Sequence, residues 1–431
     1  EGRIEGDVDS LRFSAEVMSA GFSYGAPLTG FSMSGFRAVT DLAGISRLNF
    51  FESFNGTLDV QSRHGVIGKT NLSEIRAGIR SNGAEGTFDV SVLVDSTTHV
   101  EMLGTAVHRG GIYQLNMERV KLGFGTTDYE NADPVSLLLG QDGFQFKSFS
   151  LRRETEEITA SGYFHPAGVS DLDVSVKGFL LNNLQQMIPQ TRYIASLQGM
   201  GGIVSGRILV RGDVEHPNIS VDLVVDGFRS KETVFGQVET RLSYFEHLLN
   251  VHTSYRYNAV DPNTAPDMQL SGTIPYELSL SASHNHSPKG NIDLKLQSKG
   301  MRLDLLSPFL PVVSNVSGFL SCDMKMKGTV DAPEYDGYLV LSSAKFTFVP
   351  LGIDYIMDGR FVSNKTNIVF EQVTLKNVPQ DQSYVRGLMN LTGNFNLEGL
   401  KLGQFDLNAN GQLLLMKEAV HPAGSKFYGD L

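Results

Sequence analysis

Tryptophan is absent from the 431-residue chain, and cysteine occurs once, at Cys322. A single cysteine excludes an internal disulfide framework and a zinc site made of cysteines. Charged residues are also scarce, at 19%, and the formal net charge is −11, without a basic stripe anywhere. Because a nucleic-acid groove carries such a stripe, we predict no nucleic-acid partner.

Long apolar runs are missing as well. The two stretches without charge, residues 17–36 and 305–322, are interrupted by glycine, proline or serine. A membrane-spanning helix needs about 20 predominantly apolar residues, so neither stretch qualifies. The chain begins at Glu1 without a signal-like apolar segment, and we interpret it as an internal fragment of a longer protein.

Catalytic and nucleotide-binding motifs are not found. The sequence has no P-loop, no H-E-x-x-H and no G-x-S-x-G elbow. The acidic run Glu154–Glu157 could in principle supply an acid and a base, and His284 and His286 could share one face of a strand. A solvated strand face explains the first group and a hairpin tip the second. We therefore predict no enzyme, no metal site and no cofactor.

The dominant pattern is period-two alternation of apolar and polar residues. Leu172, Val174 and Val176, for example, alternate with aspartate, serine and lysine, which is typical of strands with one dry and one wet face. Asn-Gly and Asp-Gly pairs separate such runs and suit tight hairpins. Helical spacing is confined to residues 178–190 and 300–311. The predicted fold class is all-β: an elongated, repetitive, mostly antiparallel sheet, curled into an open hydrophobic groove, with few short helices.

An internal repeat is visible in the glycines and prolines. A G-x9-G-x4-P pattern starts at Gly202 and returns 116 residues later at Gly318, and the block 172–189 matches 294–311. A third copy begins near Gly411. These landmarks predict a β-segment without a clear repeat over 1–165, repeat units over 166–287 and 288–405, and the truncated start of a third unit over 406–431.

Two segments resemble the TamB family, the inner-membrane components of translocation and assembly modules, within the wider AsmA-like group of envelope proteins. They are VSGFLSCDMKMKGTVDAPEYDGYLVLSSAKFTFVPLGIDYIMDGRFVSNKTNIVFEQVTLKN and GLMNLTGNFNLEGLKLGQFDLNANGQLLLM. Between them, the two segments show the family's pattern: strands that end in glycine, a T-x-x-x-P turn and a GRF strand in the first segment, and an LTG strand in the second. The resemblance extends over 167–431, is weak before residue 166, and places the end of the chain inside the family's C-terminal domain.

The resemblance implies a periplasmic lipid-transfer conduit of the Gram-negative envelope. Phospholipid acyl chains would move along the groove between the inner and outer membranes, in support of outer-membrane biogenesis and of protein assembly and secretion. It also implies two partners for the parent protein: an outer-membrane barrel of the Omp85 type, and the inner membrane, reached through an anchor missing from this fragment.

The alternation predicts which residues line such a groove, because apolar side chains of successive strands share one face. The predicted lining comprises Leu172, Val174, Val176, Ile219, Val221, Leu223, Val225, Ile292, Leu294, Leu296, Leu320, Cys322, Met324, Met326, Leu339 and Leu341. The same alternation also fits a non-enzymatic structural or adhesive array of tandem β-sandwich domains, in which two sheets cover each other's dry faces. This array is the alternative hypothesis.

Overall fold

A computed structural model describes most of the chain, and its residues fall into two compact units. Unit 1 comprises Glu1–Gln190 and Val204–Asn218, and unit 2 comprises Thr191–Ile203 and Ile219–Leu431. The structure describes residues 2–7, 10–24, 31–45, 55–67, 70–94, 98–125, 127–140, 143–165, 168–183, 200–230, 233–257, 265–278, 290–310, 312–378, 387–398 and 401–413.

The described strands number 25 and belong to one sheet. The first thirteen lie in unit 1, and β14 runs through the point at which the chain changes units. They are β1 (Gly2–Asp7), β2 (Ser10–Tyr24), β3 (Phe31–Ile45), β4 (Asn55–Ile67), β5 (Thr70–Asn82), β6 (Glu85–Val94), β7 (Thr98–Arg109), β8 (Ile112–Phe124), β9 (Thr127–Asn131), β10 (Val135–Gly140), β11 (Gly143–Arg153), β12 (Glu156–Phe164), β13 (Ser170–Leu180) and β14 (Met200–Gly212).

Unit 2 contains the remaining strands and one short 3-10 helix, η1 (Leu303–Phe309). Each strand pairs antiparallel with the next one along the chain, as expected for hairpins joined by tight turns. The strands are β15 (Pro217–Ser230), β16 (Thr233–Phe245), β17 (Leu248–Arg256), β18 (Met268–Pro275), β19 (Asn291–Arg302), β20 (Val313–Thr329), β21 (Pro333–Phe348), β22 (Ile353–Lys365), β23 (Asn367–Asn377), β24 (Leu388–Glu398) and β25 (Lys401–Gln412).

Unit 1 follows the same meander with one interruption. Strands β9 and β10 lie end to end between β8 and β11, because β9 pairs with the second half of β8 and β10 with its first half. Asn131 stabilises the break between them: its Oδ1 accepts from the Val120 N–H at 2.6 Å, and its Nδ2 donates to the carbonyls of Glu118 and Asp133 at 3.0 Å. Asn131 thus bonds to two backbone groups of β8 at the point where strand pairing on that side is interrupted.

Bulges bend many of the strands near their middles. Two of the residues involved, Ser343 and Gln372, have φ values of 49° and 51°, a conformation that costs a non-glycine residue energy. Bulges raise the local twist of a sheet and bend the strand that contains them, so a sheet with bulges in successive strands is curved. In unit 2 the register shifts include those between Val225 and Phe228, Lys299 and Met301, Leu341 and Ala344, and Phe370 and Val373.

Glycine at the centre of a strand contributes to this curvature. Gly337 of β21 has φ +132°, and a Cβ added to it would lie 2.0 Å from the backbone oxygen of Asp323 in β20. A Cβ added to Gly272 of β18 would likewise lie 2.0 Å from the backbone oxygen of Asp293 in β19. Only glycine permits both the positive φ and so close an approach of two neighbouring backbones.

The landmarks of the repeat occupy equivalent places. Gly212 and Gly328 have φ values of 86° and 93°, and each lies beside the proline that begins the next strand. Those prolines, Pro217 and Pro333, are both buried. The repeat therefore spans six strands, since β14 and β15 correspond to β20 and β21. The boundaries after residues 165, 287 and 405 stay a prediction.

The all-β, antiparallel fold class is confirmed, and helical structure is scarce, as predicted. The segment expected to be helical at 300–311 forms η1, whereas the one at 178–190 shows a helical start at residues 181–183 and otherwise lies outside the described residues. Within the described part of the chain, no helix has the length and apolar character needed to cross a membrane. The tandem-sandwich arrangement is not observed, because the eleven strands of unit 2 pair in chain order, without the Greek-key connections of a sandwich.

Candidate functional site

The apolar side chains of unit 2 share one face of the sheet, which we call the dry face. Residues paired across antiparallel strands point to the same side, so the pairings trace rows along the sheet. One row contains Val221, Leu242, Val251, Gly272, Leu294, Met326 and Tyr335. A second row contains Leu223, Thr240, Thr253, Leu270, Leu296, Met324 and Gly337. Both rows run without a charged residue across seven strands.

The two threonines are the polar exception in the second row. The hydroxyls of Thr240 and Thr253 lie 3.3 Å apart and form one hydrogen bond. One hydroxyl donates to the other, so the pair satisfies part of its hydrogen-bonding capacity within the sheet. The row therefore contains one polar pair and no charged residue.

The predicted lining residues are all at least half-buried. In unit 2, Ile292, Leu320 and Cys322 have exposed fractions of 7%, 6% and 3%, and the other predicted positions of that unit are half-buried. In unit 1, Leu172, Val174 and Val176 are half-buried. Their assignment to a lipid groove stays a prediction.

Unit 1 has a dry face of its own, with an aromatic cluster that the sequence analysis did not single out. Phe146 pairs with Gly162, and Gly162 with Leu172, so this ring lies on the same face as a predicted lining residue. The ring centroids of Phe144 and Phe146 are 5.3 Å apart, those of Phe144 and Phe164 5.5 Å, and those of Phe146 and Phe149 5.2 Å. The alternation of aromatic and polar residues in the segment GFQFKSF was the sequence signal that could have predicted this cluster.

The opposite, wet face carries cross-strand ion pairs. Arg256 lies 3.0 Å from Glu239, and Arg360 lies 3.3 Å from Glu371. In unit 1, Arg207 pairs with Asp173, and this bond lowers the pKa of the aspartate below its usual range. The Arg360–Glu371 pair is exposed and contributes little stability, whereas the Arg256–Glu239 pair is half-buried. All three pairs keep this face polar.

A hollow of about 470 Å³ lies on the wet face of unit 1, above Gly78. It is bordered by Asp59, Asp89 and Arg119, all exposed. Mixed charges on exposed side chains are what a solvated sheet face presents, so the hollow points to no particular ligand.

Part of the dry face of unit 2 is covered by η1. The buried side chains of Phe235, Tyr255, Met301, Leu303, Leu320 and Ala344 form a cluster, and Leu305 and Leu306 of η1 pack against it. We call this cluster with its partners the filled section. Of the predicted lining residues, Leu320 belongs to it, and Leu339 and Leu341 pack against it.

Buried polar contacts hold the start of η1 in place. The Ser298 hydroxyl accepts from the Met301 N–H at 3.1 Å and lies 2.9 Å from the carbonyl oxygen of Leu320. Arg302 forms an ion pair with Asp304, and its guanidinium lies 4.8 Å from the ring centroid of Tyr257. These contacts support the turn from β19 into η1.

Glu156 was interpreted as part of a wet strand face, and the structure corrects this. It is 3% exposed and accepts hydrogen bonds from the Tyr129 hydroxyl at 2.7 Å, the Leu180 N–H at 2.8 Å and the Asn183 amide at 3.0 Å. Burial alone would raise the pKa of Glu156, but these bonds and the charge of Arg153 lower it below its usual value. Glu156 therefore fastens the start of the 181–183 helical segment to β9 and β12.

The described structure does not gather histidines into a metal site. His247 lies in the hairpin between β16 and β17, with φ 64°, and His252 lies in β17 opposite Arg241. His284 and His286 lie outside the described residues. Among the described residues, no group of three or more potential ligands could hold a metal ion.

Comparison with known proteins gives one match. A family model described as TamB, N-terminal domain, matches residues 46–341, more than half of the chain. The match confirms the resemblance over residues 167–341 and also includes residues 46–166, most of which lie in the segment where the motifs show only a weak resemblance. No curated protein and no solved structure matches the chain significantly. The chain belongs to the TamB family, a family of the Gram-negative cell envelope.

Proposed function

We propose that the chain is a non-enzymatic section of a lipid-transfer conduit, which carries phospholipid acyl chains along its dry face. The observation that supports this most directly is the pair of uncharged rows running from β15 to β21 across unit 2. An apolar sheet face has to be covered by protein or by an apolar ligand. The single helix described in unit 2, η1, has seven residues and covers part of this face.

The chemistry of the rows suits a hydrocarbon chain. Burying each methylene group contributes about 0.8 kcal/mol, so an acyl chain is held without any polar recognition. The methionines at 324 and 326 have flexible, polarizable side chains that adapt to chains of different shape. Because neighbouring positions along a row are nearly equivalent, a bound chain can move from one strand to the next without crossing a large barrier.

The titratable groups support a role without catalysis. Tyr129, with a raised pKa, and Glu156, with a lowered pKa, form a structural hydrogen bond with each other. Tyr255, whose pKa is raised by burial, donates its hydroxyl proton to the backbone oxygen of Phe235 at 2.8 Å.

For the parent protein we propose a periplasmic location, attachment to the inner membrane and contact with an outer-membrane barrel of the Omp85 type. This proposal rests on membership of the TamB family. It includes a role in outer-membrane biogenesis and in protein assembly and secretion.

A lipid inventory tests the proposed cargo. The chain is purified without detergent from a Gram-negative host, washed, and extracted for mass spectrometry of phospholipids. We expect phospholipid in a defined ratio to protein, lost when Leu296→Asp and Met324→Asp are combined. An extract without phospholipid, from protein that still accepts none from phosphatidylethanolamine vesicles, would refute the proposal.

A further inference from the structure

The dry face of unit 2 is divided into two parts. The filled section surrounds η1, and its partly buried members come from β15 to β22. The two apolar rows lie beside it, displaced along the strands toward the ends of β19 and β20 that carry Ile292 and Gly328. We call the part of these rows from β15 to β20 the strip. The apolar side chains of the strip are Val221, Leu223, Leu242, Val251, Leu270, Leu294, Leu296, Met324 and Met326. In the described structure, none of these side chains belongs to the filled section or packs against it.

The dimensions of the strip suit a narrow track. Leu294 and Leu296 are two residues apart in β19, about 7 Å at the usual rise of a strand. From β15 to β20 the strip crosses five strand-to-strand steps, about 24 Å at roughly 4.8 Å each. Such a strip is long and thin, and its long direction runs across the strands.

The hydrogen bonding on the strip restricts the kind of occupant. The strands that carry its central residues, Leu270 and Leu296, are paired on both sides. Their backbone N–H and C=O groups are thus used within the sheet, and a peptide could not add to it as a further strand. The Thr240 and Thr253 hydroxyls bond to each other. An occupant with no hydrogen-bonding groups of its own, such as an alkyl chain, fits this surface.

The filled section differs because its occupant is part of the chain. Leu303, Leu305 and Leu306 take the place that a ligand would take. The start of η1 is held by the Ser298 hydroxyl and by the Arg302–Asp304 pair. Displacing η1 would break these contacts and expose Tyr255 and Met301, which are 2% and 3% exposed.

We propose that η1 is a fixed filler, which confines a lipid tail in unit 2 to the strip. This inference rests on the proposed function and specifies where the cargo lies. It assigns acyl-chain contact to Leu294, Leu296, Met324 and Met326, and it removes Leu320, Leu339 and Leu341 from the path.

Site-specific photocrosslinking tests the path. Benzoylphenylalanine replaces Met324 on the strip, Leu341 against the filled section, or Lys325 on the wet face. Each purified chain is equilibrated with vesicles of phosphatidylethanolamine and phosphatidylglycerol, irradiated, and analysed by mass spectrometry for lipid adducts. We expect adducts at position 324 and background at 341 and 325. In the double variant Leu305→Ala/Leu306→Ala, which empties part of the filled section, adducts at 341 should appear.

A measurement on the unsubstituted chain guards against misfolding of the labelled variants. Hydroxyl-radical oxidation, with and without the same vesicles, reports on the native methionines. Lipid should reduce the oxidation of Met324 and Met326 at least severalfold and leave Met268 and Met357, which pack against the filled section, unchanged.

The outcomes separate the two proposals. Adducts at 341 as strong as those at 324, with η1 intact, would overturn the fixed filler while upholding lipid binding. Bound lipid that neither forms adducts at 324 nor protects Met324 would overturn the strip. Absence of lipid from every position and from the inventory would refute the proposed function itself.

Discussion

The hydroxyl of Tyr129 donates a 2.7 Å hydrogen bond to the carboxylate of Glu156, and both side chains are buried. The Tyr129 ring also stacks on Phe179, with centroids 5.1 Å apart. Phe179 directly follows Gly178, at the position that Met301 holds after Gly300 in the next repeat. Both residues are buried. At these two equivalent positions, therefore, a glycine is followed by a buried apolar residue near the end of the strand.

Removing the Glu156 carboxylate should destabilise unit 1. Glu156→Ala leaves the Tyr129 hydroxyl and the Leu180 N–H buried without their acceptor, and each unpaired group costs about 1–3 kcal/mol. We expect a loss of roughly 3 kcal/mol or more in the free energy of unfolding, measured by urea denaturation. Glu156→Gln retains an acceptor oxygen and should cost about half as much. The exposed neighbour variant Glu154→Gln is the matched control, and an equal loss there would contradict this assignment.

Lowering the pH should remove the stability that the Glu156 carboxylate contributes to unit 1. The pKa of Glu156 is lower in the folded protein than its usual value, because hydrogen bonds and Arg153 outweigh the effect of burial. A lowered folded-state pKa gives stability that is fully present above the unfolded pKa, near 4.3, and is lost as the pH falls through the folded pKa. The difference in stability between wild type and Glu156→Gln should be constant from pH 7 to about 5 and shrink below. A difference that grows as the pH falls would contradict the sign.

Gly337 offers a test of the glycine kinks. Gly337→Ala would place a Cβ 2.0 Å from the Asp323 oxygen at φ +132°. The backbone conformation alone costs about 1–3 kcal/mol for a non-glycine residue, and the clash adds to it. Gly227 also has a positive φ, +57°, but nothing lies within 4 Å of its added Cβ. Gly227→Ala should therefore cost clearly less in thermal unfolding, and equal losses would show that the close approach of the strands is unimportant.

Much of the fold could be predicted because its signals are local. Alternation over a few residues predicts the sheet face on which each side chain lies. It predicts that Leu294 and Met326 share one face, and the two residues pair across β19 and β20. Glycines that require positive φ are equally local, and Gly212 and Gly328, two landmarks of the predicted repeat, have similar φ values of 86° and 93°.

The remaining features depend on contacts distant in sequence. Nothing in residues 303–309 shows that Leu305 and Leu306 pack onto side chains from several strands. Glu156 was misinterpreted because three acidic residues in a short run suggest a wet face. It is nevertheless in phase with Ile158 and Ala160, which pair with Leu151 and Phe149 on the dry face. The phase of the alternation was thus a better predictor of the face on which Glu156 lies than its charge.

Cys322 should serve as a reporter of the dry face. Burial and the charge of Asp323 raise the pKa of its thiol, and the thiolate is the reactive form. We expect alkylation by iodoacetamide at pH 8 to be slow in the native chain and fast in urea. Because the sequence contains one cysteine, the reaction reports on this position alone. Rapid native alkylation would show that the side chain is accessible.

Arginine substitutions should distinguish the strip from the filled section by function as well. Leu223 and Met324 belong to one row of the strip, and both are half-buried. Beside an open track, the long stem of Leu223→Arg or Met324→Arg can extend toward water and keep the guanidinium hydrated. The charge then blocks the path of a lipid tail. We expect near-normal melting together with loss of function, measured as detergent or vancomycin sensitivity of cells that depend on the full-length protein.

Leu341→Arg and Asn364→Arg complete this comparison. Leu341 packs against the filled section, where a buried, unpaired charge costs several kcal/mol, so Leu341→Arg should lower the melting temperature sharply. Asn364 is exposed and pairs with Asp336 on the wet face, so Asn364→Arg should change neither melting nor function. If Leu223→Arg and Met324→Arg melt like Leu341→Arg, the strip is part of a closed core. If both melt and function normally, the strip lies outside the lipid path. Loss of function at stable melting, confined to the strip, is the result that an open lipid track requires.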